Sequence, residues 1–307
     1  MQKRLFPDPR ESATQVPLEL TADDPVAIPP SRILVGDAAS LLSSLAAGTV
    51  RACVTSPPYW GLRDYSVERE AQIGAEDDLD EYISRLTAVF AEVRRVLADD
   101  GTLWLNLGDS YTSGNRTWRA PDKKNPARTM DYRPPTPNGL KPKDLIGGPW
   151  RVAFALQAAG WYLRSDIIWH KPNCQPESVR DRPTQSHEYL FLMTKSEKYY
   201  YNASAILEKT KDGRGTRNRR TVWSIPTEPM PEAHFATFPP ALVEPCILAG
   251  SEPGDTILDP FVGSGTVGLV ARQLKRSFIG IDISADYAAI ASRRSGAPIV
   301  DRDVVDG

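Results

Sequence analysis

The sequence predicts an α/β protein built on an open, mostly parallel sheet of about seven strands. Three observations lead there. Short apolar, partly β-branched runs of strand length alternate with segments whose apolar residues recur every three or four positions. Several runs stop abruptly at glycine, proline or an acid, the punctuation of strand ends whose loops carry a site. The 307 residues suffice for one large domain with inserted loops or for two smaller ones.

The elements follow in order. Residues 1–30 carry Pro7, Pro9, Pro17, Pro25, Pro29 and Pro30 without periodicity and read as an extended N-terminal arm. A strand at 33–35 ends at Gly36-Asp37, and a helix runs through Leu41, Leu42 and Leu45. The next strand, 50–54, runs into two prolines that forbid helix and ladder from continuing. Leu79, Ile83, Leu86, Phe90, Val93 and Leu97 mark an amphipathic helix, stopped by Asp99-Asp100-Gly101. The buried strand at 101–107 opens a polar, basic, Pro-rich insertion at 111–146, too long for an ordinary connection. A helix at 149–159 follows. Strands at 161–170 and 188–193 are joined by a polar segment with no helical period, which suits an antiparallel pair at one edge of the sheet. A basic connector at 214–220, a helix at 238–249, and strands at 255–261 and 277–282 joined by a helix at 266–274 come next. A final helix, 285–294, precedes a polar tail at 297–307.

Composition excludes several classes. Hydrophobic residues make up 41% and charged residues 25%, ordinary for a globular protein, so neither disorder nor a membrane class is favoured. No apolar stretch approaches the roughly 20 residues that cross a bilayer, and no signal-peptide core is present, so a cytoplasmic location is expected. Cys53, Cys174 and Cys246 have no paired spacing, and His170, His187 and His234 are scattered, so neither disulfides nor a metal site is predicted. The net charge of -2 hides an uneven distribution. Residues 116–143 and 209–220 are basic, while acids gather at 68–100.

Two stretches carry chemistry. The first is Thr55-Ser56-Pro57-Pro58-Tyr59-Trp60. Ser56 offers a hydroxyl, the prolines hold their carbonyls in a stiff path, and Tyr59 and Trp60 offer flat faces. That set suits a planar, hydrogen-bonding substrate such as a nucleobase; it also suits a strand running into a Pro-rich turn with core aromatics.

The second is Asp259-Pro260-Phe261-Val262-Gly263-Ser264-Gly265-Thr266, which follows an apolar strand and opens a helix. Its glycines let the backbone approach a ligand at a helix N-terminus. The next strand ends in Asp282, an acid suited to a ribose diol. Gly263, Gly265 and Gly268 also satisfy GxGxxG, which makes an NAD-dependent oxidoreductase the competing reading. Two features oppose it. The glycine strand lies late, leaving room for only one further strand, and Asp259 at its end repels a pyrophosphate. An acid there suits the ammonium of an amino-acid-bearing nucleoside. S-adenosylmethionine has that ammonium, a ribose diol and an adenine, but no phosphate.

With both motifs in this order, about 200 residues apart, the sequence resembles the amino-group DNA methyltransferases in their permuted beta arrangement. The resemblance covers nearly all of residues 31–294. Read from 256 through the C-terminus back to 33, the strands give the circularly permuted, seven-stranded Rossmann-like methyltransferase sheet, with 161–170 and 188–193 as its terminal pair. It implies a catalytic half at 31–198, a cofactor half at 233–296, and between them a target-recognition segment at 199–232, assisted by the insertion.

The resemblance implies catalytic roles for Ser56, Pro57, Pro58 and Tyr59. It implies S-adenosyl-L-methionine contacts from Asp37, Asp259, Phe261, Gly263, Ser264, Gly265, Thr266 and Asp282, with Phe235, Thr237 and Phe238 enclosing the methionine part. DNA contacts are expected from Trp60, Arg180, Arg182, Lys209, Arg214, Arg217, Arg219 and Arg220. Double-stranded DNA is the implied partner, a cognate restriction endonuclease is admitted, and monomer and homodimer both stay open. Adenine-N6 members of the family usually carry Asp where this chain has Ser56, and cytosine-N4 members usually carry Ser. The expected reaction is therefore methyl transfer to N4 of a flipped-out cytosine, with adenine-N6 methylation as the alternative. Cytosine-C5 chemistry uses a Pro-Cys nucleophile, and here Cys174 follows Asn173.

Overall fold

The structure is a computed structural model that describes residues 30–61, 72–113, 133–228 and 238–300. Phe235, Thr237, nearly all of the N-terminal arm and the centre of the insertion lie outside the described residues.

The strands are β1 Arg32–Val35, β2 Val50–Thr55, β3 Leu97–Leu107, β4 Tyr162–His170, β5 His187–Thr194, β6 Glu208–Lys209, β7 Thr216–Arg217, β8 Val222–Ser224, β9 Thr256–Asp259 and β10 Ser277–Asp282. The helices are α1 Ala38–Ser43, α2 Leu79–Val96, α3 Gly148–Ala158, α4 Pro240–Gly250, α5 Thr266–Gln273 and α6 Ala285–Ser295. Eight strands form one sheet in the order β1-β10-β9-β2-β3-β5-β4-β8, and β6 and β7 make a separate small hairpin. Neighbours from β1 through β3 are parallel, β5 runs against both β3 and β4, and β8 is parallel to β4.

Both faces of the sheet are covered. Cys53, Leu103 and Phe191 point into a cluster with α1, α2 and α3, while Ala52, Val54 and Trp104 point into one with α4, α5 and α6. Alternate residues of each strand are thus buried on opposite sides, which is why the strands read as continuous apolar runs.

Two expectations are corrected. The sheet does not end at the antiparallel pair: β8, from the segment expected to read the target, adds an eighth strand beyond β4. Its Trp223 is buried against Trp104, with ring centroids 6.5 Å apart, and that apolar cover recruits the strand. Asp99 and Asp100 do not follow a helix end at 97 but sit inside β3, where the ladder jumps from Val50–Leu97 to Ala52–Thr102 and they bulge out.

The topology places the site. Between β9 and β2 the chain departs to opposite sides, toward β10 and β3, which opens a crevice at the carboxyl ends of the strands. Because β5 runs against its neighbours, its first residues and the last residues of β4 arrive at that same edge, with His170 opposite His187. Among the described residues no helix is long and apolar enough to cross a membrane.

Candidate active site

Thr55 ends β2, and Ser56 to Tyr59 turn over the carboxyl edge. The turn is anchored from behind: the Tyr82 hydroxyl on α2 donates to the Pro58 carbonyl at 2.9 Å, and Gly61 N–H donates to the Gly74 carbonyl at 2.9 Å. Trp60 belongs to this anchor and not to a DNA-facing surface. Its side chain is 8% exposed in the core, and its indole N–H donates to the Glu76 carbonyl at 2.9 Å. An indole so placed buries a large apolar area with its one polar group satisfied, which overturns the expectation that it touches DNA.

Tyr59 faces the other way. Its hydroxyl lies 2.9 Å from Glu188 Oε2, 3.2 Å from Ser56 Oγ and 3.3 Å from Asn106 Oδ1. The other oxygen of Glu188 holds the Lys171 ammonium, which in turn lies 4.2 Å from the Trp169 ring centroid. Asn106, Lys171 and Glu188 were not singled out from the sequence. Their signal was positional: each stands at a strand end on the carboxyl edge, brought together once β5 is placed between β3 and β4.

The glycine loop is held by close packing and by hydrogen bonds. Gly265 caps α5 with φ +79°, and a Cβ there would stand 2.6 Å from Ala291 Cα, so its hydrogen lets α5 start against α6. Arg294 on α6 donates to the Ser264 carbonyl at 2.6 Å, to Ser264 Oγ at 2.9 Å and to Thr266 Oγ1 at 3.3 Å, a clamp that sequence reasoning missed. Gly263 N–H donates to Asp282 Oδ2 and Ser284 N–H to Asp282 Oδ1, both at 2.9 Å. Burial lifts the Asp282 carboxyl to a pKa of about 6. Asp259 accepts from the Thr55 hydroxyl at 2.6 Å and from Phe261 N–H at 3.1 Å, and burial pushes it up to about 7.

One cavity joins the two motifs. Ser56, Pro57, Pro58 and Tyr59 line it with Asn106, Lys171 and Glu188, and so do Asp37, Phe238, Phe261, Gly263, Ser264, Thr266 and Asp282. Of the residues expected to hold the cofactor, Asp259 and Gly265 are described but do not line it: Asp259 is 1% exposed beneath the loop, and Gly265 faces α6. The donor set fits S-adenosylmethionine. The charged group facing the cavity beside the glycine loop is the Asp282 carboxylate, each of whose oxygens spends one lone pair on a backbone N–H and keeps another for a ribose hydroxyl. Asp37, at the end of β1, caps α1 through Ser40 N–H at 2.9 Å.

The basic candidates divide. Lys209, Arg214 and Arg180 are exposed. Arg217 and Arg220 both donate to Glu208 Oε1, at 2.8 and 2.6 Å, and the Arg219 guanidinium lies 4.4 Å from the Trp223 centroid. Arg182 donates to Glu177 at 2.7 Å and lies 3.8 Å from the Tyr111 centroid. The 171–187 loop is thereby pinned to the start of the insertion, and the Lys143–Asp181 contact at 2.7 Å ties down its end.

A doubly covered sheet with a glycine loop at its switch point and an acid ending the next strand is the architecture of a nucleoside-cofactor enzyme. The family model N6_N4_Mtase, described as DNA methylase, matches residues 50–293, and the chain belongs to that family. It is similar to the type II methyltransferase M.Cfr9I of Citrobacter freundii, 57% identical over 289 residues that cover 94% of this chain and 95% of that protein. Two solved structures share the fold. The PvuII DNA methyltransferase (cytosine-N4-specific) is 20% identical with a TM-score of 0.64, covering 86% of each chain. TTHA0409 of Thermus thermophilus, a putative DNA modification methylase complexed with S-adenosyl-L-methionine, is 24% identical with a TM-score of 0.61, covering 88% of this chain and 98% of that one. The chain is a DNA methyltransferase, and S-adenosylmethionine is its cofactor.

Proposed function

We propose that the chain transfers a methyl group to the exocyclic N4 of a cytosine flipped out of double-stranded DNA. The observation that carries this reading is the cavity itself: Ser56, Pro57 and Asp282 line the same space, so a base and a methyl donor would meet inside it. Ser56 stands where the adenine-N6 members usually carry Asp.

When bound, S-adenosylmethionine supplies an electrophilic sulfonium methyl. The residues must make a poor nucleophile react, because an exocyclic amine shares its lone pair with the ring. Tyr59 offers a face on which the base stacks. Ser56 and Pro57 line the cavity, and the Pro57 carbonyl and Ser56 hydroxyl localise the lone pair through hydrogen bonds and align the amine for in-line attack. Asp282 and Asp37, which line the same cavity, orient the cofactor. The exposed Arg180, Lys209 and Arg214 serve as phosphate contacts, whereas Arg217, Arg219 and Arg220 are stiffened by Glu208 and Trp223 for base or phosphate contacts.

The test is direct. The protein is incubated with DNA and methyl-labelled S-adenosylmethionine, and the DNA is digested to nucleosides. N4-methylcytosine is expected; N6-methyladenine would overturn the choice of base, and labelled protein or RNA without labelled DNA would overturn the substrate.

A further inference from the structure

We infer that Glu188, held by Lys171, sets the direction of a hydrogen-bond relay through Tyr59 to Ser56, making Ser56 Oγ an acceptor for the target amine and the exit for the proton released on methylation. The inference rests on the site methylating an exocyclic amine, whichever base carries it.

The direction follows from counting protons. Asn106 spends its amide N–H on the Tyr189 carbonyl at 3.0 Å, which turns Oδ1 toward Tyr59 as an acceptor. Glu188 is also an acceptor, with its second oxygen on the Lys171 ammonium. A phenol has one proton. Between the two acceptors the carboxylate is nearer, 2.9 against 3.3 Å, and makes the stronger bond. Toward Ser56, 3.2 Å away, the Tyr59 oxygen is therefore an acceptor, and the Ser56 proton points at it. Ser56, which lines the cavity, is left with lone pairs on Oγ to offer. With the Pro57 carbonyl it makes two acceptors for the two N–H groups of an amine.

Gly108 permits this packing. A Cβ there would stand 2.8 Å from the Tyr59 ring edge and 3.2 Å from Glu188 Cδ.

The same chain carries the proton out. The amine nitrogen gains the methyl as the sulfonium–methyl bond breaks to leave a neutral thioether, and it then holds a positive charge. Its proton passes to Ser56 Oγ as the Ser56 proton moves to Tyr59 and the Tyr59 proton to Glu188, whose carboxylate becomes neutral. The Glu188 and Lys171 side chains are each 17% exposed, which leaves a route for release to solvent. Glu188 and Lys171 are positioning residues here, acting on the base only through Tyr59 and Ser56.

Single-turnover methyl transfer in the full-length protein tests the relay, with Tyr59→Phe, Glu188→Gln and the double variant. Gln keeps an acceptor oxygen but takes no proton, so both single variants are expected to slow transfer about a hundredfold. The double variant should be no slower than the slower single, because both cut one chain. Affinities for DNA and S-adenosylmethionine, and the fluorescence of 2-aminopurine at the target position, should stay unchanged. Glu188→Asp should restore part of the rate. Losses that multiply, an unchanged rate in Glu188→Gln, or lost fluorescence would overturn the relay; the last would make Glu188 a prop for the stacking ring alone. A wild-type product of N6-methyladenine would instead remove the cytosine reading and leave the relay to be judged by the same cycle.

Discussion

Thr55 donates its hydroxyl to Asp259 Oδ1 at 2.6 Å, joining the last residue of β2 to the last residue of β9 across the switch point of the sheet. Residues 204 apart in sequence thus meet beneath both loops of the site. Thr55→Val removes the hydroxyl without changing shape and leaves a buried carboxyl one donor short. It should cost about 1–3 kcal/mol of stability, read from urea unfolding.

Asp259 also gives the apo protein a pH signature. Its folded pKa of about 7 lies above the usual 3.8, so the native state keeps a proton that the unfolded chain releases. The stability contributed by that proton is present below pH 4 and lost as pH rises toward 7. Asp259→Asn cannot ionise, so its stability should match wild type near pH 4 and exceed it at pH 8. The gap should grow by about 1.4 kcal/mol per unit through that window, as read by unfolding at a series of pH values.

Asp282 should act on the cofactor. Loss of its charge-assisted bonds in Asp282→Ala should weaken S-adenosylmethionine binding roughly 10- to 100-fold in calorimetry, with DNA affinity unchanged. Because its pKa is held up at about 6, protonation below that pH should weaken cofactor binding in the wild type as well.

The two loop glycines should separate. Ala at Gly265 drives a Cβ to 2.6 Å from Ala291 Cα at φ +79°, and about 3 kcal/mol or more should be lost. At Gly263 the nearest contact would be 3.9 Å, so only the left-handed backbone penalises Ala, about 1–2 kcal/mol. Thermal melts of the two variants compare them directly.

Trp60 and Arg214 should also part company. Trp60→Ala opens a hole in the core and should cost about 3–5 kcal/mol while leaving the salt dependence of DNA binding intact. Arg214→Ala should leave stability intact and lower the salt slope of binding by about 1.

Much of this protein is written locally. Alternating apolar runs and helical periods disclosed the covered parallel sheet, and strand-end punctuation disclosed Ser56 to Tyr59, the glycine loop and Asp282, because strand propensity, proline stiffness and glycine freedom act within a few residues. Tertiary structure decided what depends on distant partners. Trp60 looks the same in sequence whether it faces DNA or the core, and only the Glu76 carbonyl settles it. The run Val222-Trp223-Ser224 is too short to announce an eighth strand; its pairing with β4 and the packing of Trp223 against Trp104 make it one. Glu188, with Lys171 bound to it, meets Tyr59 because β5 inserts between β3 and β4, and Asp259 withdraws from the cavity because Thr55, on another strand, holds it. Local propensity shapes each loop, but the pairing of remote strands determines which side chains share a cavity.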